Sequence, residues 1–311
     1  MKRTFQNADF DRLADFWNKF APERYRLDAR LMELKTVECP LFDWGASLIE
    51  VADGEILAFT VVKKSSANLY IGPDQDVVHL SLIAFCDPQY GVDLMSDVKQ
   101  ILRNRGAAKL VFGQDSDHFM PGSPTDFPHL TDYLMVEGFT EGSEVVDLER
   151  DLSDYQNPFR IPADATFRAL TENDKDQLSE FFDREFPGRW KHDVLAKFEI
   201  EGPTCVFGLF KGETLDGFAL IQDWQNKIPI GGAVWRNDLG EQWGSLGPIG
   251  VSKAIRGEGY GHALLGEALM ELKKRGAQQT IIDWTGLVDF YGKHGFETAR
   301  TYKSMTLLLN N

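Results

Sequence analysis

The sequence predicts an α/β protein with two similar halves, and three observations lead to this prediction. The chain has 311 residues, whereas one domain usually takes roughly 100–200 residues. Patterns typical of strands and helices follow one another in nearly the same order in both halves. The tripeptide Arg-Gly-Ala ends an amphipathic helix in each half, at 105–107 and at 275–277. A polar segment at 151–162 contains two prolines, so we predict domains at 1–155 and 156–311.

The elements of the C-terminal half are predicted from apolar spacing and from the residues that end them. Leu178, Phe181 and Phe182 have helical spacing behind an acidic first turn, and a Pro-Gly pair ends this helix. A later helix has a basic last turn, which complements the helix dipole, and it ends at Gly276. In order, we predict a strand (166–170), two helices (174–186, 190–198), three strands (205–210, 215–224, 244–251), a helix (259–275), a strand (280–284), a short helix (286–294) and a closing hairpin (296–309).

The N-terminal half follows the same order with one insertion. Strands at 77–85 and 108–112 flank a helix at 91–105, and residues 133–139 correspond to residues 290–296. The segment 115–128 has no counterpart and is rich in Asp, Pro, Gly and Ser, which favours a loop.

The composition excludes several classes of function. The formal net charge is −15, and most of it lies in residues 1–155, which hold 15 Lys and Arg against 27 Asp and Glu. A chain this acidic disfavours binding to nucleic acid or to anionic membranes, but it suits a cationic amine as a partner. The sequence leaves the oligomeric state open.

Cysteine and histidine usage argues against disulfides, metal and export. The three cysteines are widely spaced, so we expect reduced and mostly buried thiols. The six histidines have no ligand spacing, and no metal site is expected. The chain begins without an apolar signal segment and has no apolar run of membrane-spanning length, which predicts a cytoplasmic protein.

A glycine-rich loop lies between the predicted strand 244–251 and the helix that follows it. Its sequence is Arg256-Gly257-Glu258-Gly259-Tyr260-Gly261, followed by His262. Free amides at a helix start bind anions, and glycine allows the backbone to approach a phosphate closely. Glycine and proline at 247–250 interrupt the preceding strand, which predicts unpaired backbone groups there.

These residues resemble the GNAT (GCN5-related) N-acetyltransferase family in two motifs at the family's separation. Val251 stands five residues before Arg256, two glycines (Gly259 and Gly261) follow that Arg, and 290–296 reads Phe-Tyr-Gly-Lys-His-Gly-Phe. The resemblance covers roughly residues 165–309 and departs from the family where Lys253 replaces a usual proline. It implies two tandem GNAT-like domains, each with a mixed, mostly antiparallel central sheet flanked by helices.

The resemblance also implies a cofactor and roles for named residues. Acetyl-CoA is the expected co-substrate, with its pyrophosphate on residues 256–262 and its pantetheine on the backbone of Ile249, Gly250 and Val251. Tyr291 stands where family members often carry the general acid that protonates the CoA thiolate. The general base is left open among Asp223, Glu241 and Asp283, of which Asp283 is the most unusual because it ends an apolar strand. His262 is expected near the phosphates, and His294 on a surface turn.

The N-terminal half lacks the glycine-rich loop motif. The segment after its strand 77–85 is Cys86-Asp87-Pro88-Gln89-Tyr90-Gly91, which has no arginine or glycine pair, and Asp87 would repel a phosphate. We therefore interpret residues 1–155 as a degenerate GNAT-like domain that does not bind CoA.

Three functions remain for the whole chain. The leading hypothesis is direct transfer of acetyl from acetyl-CoA to a primary amine of a small molecule or peptide, including amino sugars, polyamines and antibiotics. The alternative is a non-catalytic acyl-CoA sensor or interaction module. An aminoacyl transferase that uses charged tRNA is disfavoured by the intact loop and by the acidic charge.

Overall fold

The computed structural model describes residues 1–6, 9–65, 77–228 and 231–309. It divides into two compact units, which are described separately. The N-terminal unit consists of Met1–Val145 and Arg300–Asn311, and the C-terminal unit consists of Val146–Ala299. No described helix has the length and apolarity needed to cross a membrane.

The N-terminal unit has a mostly antiparallel sheet with helices formed from the segments between its strands. The strands run in the order β1-β2-β3-β4-β5-β13, and only the β4–β5 pairing is parallel. A short strand, β6, also pairs with β13. The elements are β1 (Lys2–Thr4), α1 (Phe10–Phe20), α2 (Ala29–Leu34), β2 (Leu48–Ala52), β3 (Glu55–Lys64), β4 (Val77–Phe85), α3 (Pro88–Asn104), β5 (Lys109–Phe112), β6 (Ser123–Pro124), α4 (Pro128–Val136), β7 (Thr140–Asp151, which runs on into the other unit) and β13 (Glu297–Leu308, from Arg300 on).

The C-terminal unit repeats this plan. Residues 146–151 of β7 pair with β12, and the order continues as β12-β11-β10-β9-β8, with only β11–β12 parallel. The further elements are β8 (Ala165–Ala169), α5 (Lys175–Glu185), α6 (Arg189–Glu201), β9 (Val206–Lys211), β10 (Thr214–Asp223), β11 (Trp243–Val251), α7 (Tyr260–Arg275), β12 (Gln279–Thr285) and α8 (Val288–Gly292).

The sheet of the C-terminal unit has a packed core on each face, as the alternation of β10 shows. Ala219 and Ile221 pack with α7, whereas Phe218 and Leu220 pack with α5 and α6. Successive side chains of a strand point to opposite faces, so one strand contributes to both cores. On α7, Leu265, Leu269 and Leu272 are fully buried, which fixes the start of this helix relative to the sheet edge.

The predicted fold class is confirmed, with one correction to the elements. The predicted closing hairpin at 296–309 is wrong, because this segment is the single strand β13. From Arg300 on, β13 pairs with β5 and β6 in the N-terminal unit. Among the cysteines, Cys39 and Cys205 are buried as expected, whereas Cys86 is exposed, and all three are free.

The compact units differ from the predicted domain ranges of 1–155 and 156–311 in two stretches. Residues 146–155 belong to the C-terminal unit, because β7 pairs with β12 there. Residues 300–311 belong to the N-terminal unit, because β13 completes its sheet. Each unit therefore takes one strand from the far side of the predicted linker.

Candidate functional site

Strands β11 and β12 begin as neighbours and then separate. Their parallel pairing covers three residues of each strand and ends at Ser245 opposite Ile281. The remaining residues of β11 pair with β10 on the other side, with a register shift opposite Ala219–Ile221. The edge of β11 from Leu246 onward therefore faces an opening between the two strands.

Alternation along β11 determines which backbone groups face this opening. The amide of Ser252 donates to the carbonyl of Asp216 at 2.8 Å, on the β10 side. Backbone groups of successive residues in a strand point to opposite sides, so Gly250 also faces β10. Ile249 and Val251 consequently present their backbone groups to the opening, where an extended amide-containing ligand can pair with them.

A glycine is required at position 250 by the packing on the face of β11. A Cβ atom built on Gly250 would lie 2.5 Å from Cζ of Phe186, which is closer than carbon atoms can approach. Phe186 also lies 5.4 Å beneath the guanidinium carbon of Arg256. This ring therefore joins the strand to the loop that follows it.

The loop after β11 leads into α7 with its amides exposed. Gly257 and Gly259 have φ values of +82° and +94°, a region that side-chain-bearing residues rarely adopt. Space around both is open, since a Cβ on either would have no atom within 4 Å. Gly259 is the N-cap of α7 and provides no side-chain cap. The first-turn amides of α7 are thus left for an anion.

The side chains of this loop differ in what they contact. Arg256 is exposed, and its Nε donates to the carbonyl of Val251 at 3.2 Å. The Tyr260 hydroxyl donates to the carboxylate of Asp164 at 2.8 Å, so this residue can offer only its amide to a ligand at the loop. Glu258 is exposed.

Asp283 and Tyr291 lie together where β11 and β12 separate. A Cβ on Gly247 would lie 3.7 Å from Oδ1 of Asp283, so this carboxylate stands beside the interrupted part of β11. Tyr291, on α8, is buried among Phe290, Phe296 and the α7 leucines. Burial, followed by the negative charge of Asp283, raises the pKa of the Tyr291 phenol, and a hydrogen bond with Thr285 acts in the opposite direction. The phenol is therefore protonated at neutral pH, as a general acid must be.

Asp223 and Glu241, the other two candidates for the general base, do not lie at the opening between β11 and β12. Asp223 ends β10 and accepts a hydrogen bond from the amide of Gln225 at 2.9 Å, which stabilises a turn. Glu241 is exposed just before β11. Of the three, Asp283 alone stands at the opening. Within the described ranges, no group of His, Cys, Asp and Glu is arranged to hold a metal ion.

Trp284 on β12 and Asp147 on β7 form a contact that the sequence patterns did not indicate. Trp284 has a φ of +45°, which is unusual for a non-glycine residue, and its amide donates to Oδ1 of the buried Asp147 at 3.2 Å. Its ring lies 4.3 Å from the guanidinium carbon of Arg189. Only long-range pairing with β7 brings Asp147 here, 137 residues away in sequence.

The expectation that His294 lies on a surface turn is wrong. It is 2 % exposed, its Nδ1 lies 2.7 Å from the Tyr155 hydroxyl, and its Nε2 lies 3.2 Å from Nδ1 of His262. His262, on the first turn of α7, stacks between Phe159 and Phe290 at centroid distances of 4.1 and 4.4 Å. These contacts hold His262 at the start of α7, beside the glycine-rich loop.

Comparisons with known proteins find a family model that matches the part of the chain containing these residues. Residues 175–296 match the model of the acetyltransferase (GNAT) family, and this range contains β11, the glycine-rich loop, α7 and Tyr291. No curated protein sequence matches the chain.

Solved structures match the whole chain at low sequence identity. One is the GCN5-related glucosamine N-acetyltransferase region of a fungal multi-domain GH3 β-N-acetylglucosaminidase, with 21 % identity over 99 % of this chain and a TM-score of 0.85. The chain spans only 38 % of that fungal protein. A GCN5-related N-acetyltransferase from Sphaerobacter thermophilus has 15 % identity and a TM-score of 0.73, with 100 % of this chain and 96 % of that chain covered.

A third similar structure is a tandem GNAT protein from the clavulanic acid biosynthesis pathway. It has 11 % identity and a TM-score of 0.69, with 100 % of this chain and 99 % of that chain covered. At these identities the likeness establishes the fold alone, and the family model matches residues 175–296. The chain therefore carries a domain of the acetyltransferase (GNAT) family at residues 175–296, within a fold of two tandem GNAT-like domains.

Proposed function

We propose that the C-terminal unit transfers acetyl from acetyl-CoA to a primary amine. The observation that carries this proposal is the combination of an uncapped helix start with an adjacent open strand edge. The first-turn amides of α7 offer donors for a diphosphate, and glycines at 257 and 259 leave the room for it. The backbone of Ile249 and Val251 offers a pairing edge to the two amides of a pantetheine arm.

The residues at the opening are suited to a direct transfer. A neutral amine attacks the thioester carbonyl, forming a C–N bond while the C–S bond breaks. A backbone amide at the interrupted part of β11 donates to the carbonyl oxygen, on which negative charge develops. Tyr291 gives its proton to the departing thiolate, and Asp283, directly or through a water, accepts the proton that the amine loses.

An amino sugar is the first acceptor class to test. The similar fungal region is described as a glucosamine N-acetyltransferase, and amino sugars are among the amines that the acidic chain would attract. We keep small-molecule and peptide amines as the wider class of acceptor.

The remaining parts of the proposal concern the N-terminal unit and the location. We propose that the N-terminal unit is a degenerate GNAT-like domain that does not bind CoA, because its helix α3 is capped by its own Asp87 carboxylate. We further propose that the protein acts in the cytoplasm, where its three free thiols remain reduced.

Calorimetric titration with acetyl-CoA tests the proposal. The wild type is expected to show one binding event per chain, and a variant carrying Gly259→Val and Gly261→Val is expected to show none. The matched control is Gly54→Val, since Gly54 also has a positive φ of +82° and open surroundings but lies in the hairpin of the N-terminal unit. This control separates the strain of the substitution from the loss of the site.

Each outcome has a distinct meaning. Two binding events would show that the N-terminal unit also binds, against its degenerate assignment. Absence of binding to the wild type would remove the acetyltransferase proposal. Once binding is seen, turnover is measured with glucosamine and a panel of amines through the release of free CoA thiol. Turnover distinguishes an enzyme from a non-catalytic acyl-CoA sensor.

A further inference from the structure

A chain of hydrogen-bonding side chains leads from the core of the C-terminal unit to the start of α7. The Tyr155 hydroxyl, the two ring nitrogens of His294 and Nδ1 of His262 are joined by contacts of 2.7 and 3.2 Å. We propose that this chain fixes His262 as an Nε2–H donor to a phosphoryl group of CoA, with Tyr155 and His294 as positioning residues. The inference rests on the proposed function and extends it.

The direction of the hydrogen bonds follows from Tyr155. Its side chain is 2 % exposed, and its hydroxyl contacts no hydrogen-bond partner other than His294 in the described part of the chain. If the hydroxyl accepted a hydrogen bond from His294, its own hydrogen would be buried and unpaired, which is costly. The hydroxyl therefore donates to Nδ1 of His294.

The rest of the chain is then determined by imidazole chemistry. A neutral imidazole carries one N–H, so His294, accepting at Nδ1, donates from Nε2 to Nδ1 of His262. His262, accepting at Nδ1, carries its own hydrogen on Nε2. Burial lowers the pKa of His294 to about 4 and also lowers the pKa of His262, so both rings are neutral near pH 7, as the directed chain requires.

The surroundings of His262 favour an anion as the acceptor of its Nε2 hydrogen. His262 is the third residue of α7, on the same turn as the uncapped amides. Its ring is held flat between Phe159 and Phe290, and its interplanar angle with Phe159 is 4°, so rotation of the ring is restricted. The positive charge of Lys293 also acts on this ring. An amide cluster, a fixed N–H donor and a lysine together suit a phosphoryl group.

Long-range ¹H–¹⁵N spectra of the histidine rings test the chain directly on the free protein. His262 and His294 are both expected to be Nε2–H tautomers at pH 7. In a Tyr155→Phe variant, which keeps the ring and removes the hydroxyl, His294 is expected to become a mixture of tautomers. An Nδ1–H tautomer at either histidine of the wild type would overturn the inference.

Binding measurements test the phosphoryl contact. His262→Phe is expected to weaken acetyl-CoA binding by about tenfold to a hundredfold, since it removes a hydrogen bond to a charged group. His262→Gln, which can place an amide N–H near the former Nε2, is expected to recover most of this loss. Tyr155→Phe is expected to weaken binding roughly threefold. The control is His192→Gln, because His192 is exposed on α6.

The outcomes separate this inference from the proposed function. If the wild type binds acetyl-CoA and His262→Phe binds equally well, the inference is overturned while the function stands. If the wild type does not bind, both fail. Repeating the titrations with 3′-dephospho-acetyl-CoA identifies the phosphoryl group: a loss confined to acetyl-CoA indicates the 3′-phosphate, and an equal loss with both ligands indicates the pyrophosphate.

Discussion

Each unit contains one junction between two parallel strands, and the two junctions have a similar backbone but different side chains. Aligning the tripeptides at 105–107 and 275–277 places Gln114 opposite Trp284 and Asp115 opposite Thr285. Both Gln114 and Trp284 have positive φ values, +61° and +45°, so the backbone after β5 and after β12 bends alike. The difference lies in the side chains that fill each junction.

In the N-terminal unit, polar groups at the junction are paired with one another. Lys63 and Asp115 are fully buried and lie 2.7 Å apart, and the Ser81 hydroxyl donates to the same carboxylate at 2.8 Å. The helix that follows, α3, has its N-terminal amide capped by Asp87. In the C-terminal unit, glycine stands at the positions that correspond to Ser81 and Asp87. These are Gly247 in the strand and Gly259 at the helix N-cap. The start of α7 therefore has no side-chain cap, whereas the start of α3 is capped by a carboxylate of its own chain.

The largest expected effect is on kcat, and it distinguishes Tyr291 from Tyr133. Tyr291→Phe should lower kcat about a hundredfold or more, because general acid catalysis contributes about 10²–10⁴-fold. Tyr133→Phe, on α4 of the N-terminal unit, is the matched control and should leave turnover unchanged. Steady-state kinetics with acetyl-CoA and the identified amine measures both. Equal losses in the two variants would contradict the assignment of catalysis to one unit.

The buried ion pair gives the next effect. Asp115→Ala should lower the free energy of unfolding by about 3–5 kcal/mol, because it leaves Lys63 charged and buried without its partner. Chemical denaturation measures the change, and removal of the exposed pair formed by Lys175 and Glu199 is the control, expected at about 0–1 kcal/mol. The double variant Lys63→Met with Asp115→Leu should recover most of the stability. A small effect of Asp115→Ala alone would show that the junction is not stabilised by this pair.

Acidification should act on the C-terminal unit through His294. Burial lowers its pKa from 6.5 to about 4, so between these values the unfolded chain binds the proton and the folded chain does not. The stability due to this histidine is therefore present above pH 6.5 and is lost as the pH falls toward 4, by up to roughly 3 kcal/mol. The measurement is the free energy of unfolding across this range for the wild type minus that for His294→Gln. An absent difference in slope would mean that His294 titrates normally.

The smallest expected effect concerns the helix cap of the N-terminal unit. Asp87→Ala should cost about 1 kcal/mol, because it removes the side-chain acceptor for the amide of Gln89. Thermal unfolding measures this loss. The same variant also tests the comparison between the two units, because it removes the cap of α3. We expect no acetyl-CoA binding to the N-terminal unit, since Lys63 and Asp115 still fill the junction. Gain of a second binding event would show that the cap alone keeps the N-terminal unit from binding.

Local patterns predicted the elements around the site well. The helix α7 and the strands β10 and β12 lie within one or two residues of their predicted ranges, because apolar spacing, glycine stops and charged turns are short-range signals. Two glycine positions of the loop adopt the positive φ that the pattern implied.

Long-range pairings were beyond these patterns. His294 was predicted at the surface, but it is buried and contacts Tyr155, which lies 139 residues earlier in the sequence. The pairing of Lys63 with Asp115 joins β3 to the predicted loop at 115–128, where polar residues normally indicate exposure. The placement of β13 in the N-terminal unit depends on which sheet edge is available. The sequence pattern of an amphipathic strand does not indicate which edge it will pair with.

That placement makes the two halves unequal in the order in which they can form. The N-terminal unit contains residues 1–145 and 300–311, so the C-terminal unit is an insertion between these two segments, continuous from Val146 to Ala299. During synthesis, the inserted unit has all its strands before the surrounding unit receives β13. A chain that stops short of Arg300 would therefore keep every strand of the inserted C-terminal unit but lack β13, and it would leave β5 as an unpaired sheet edge.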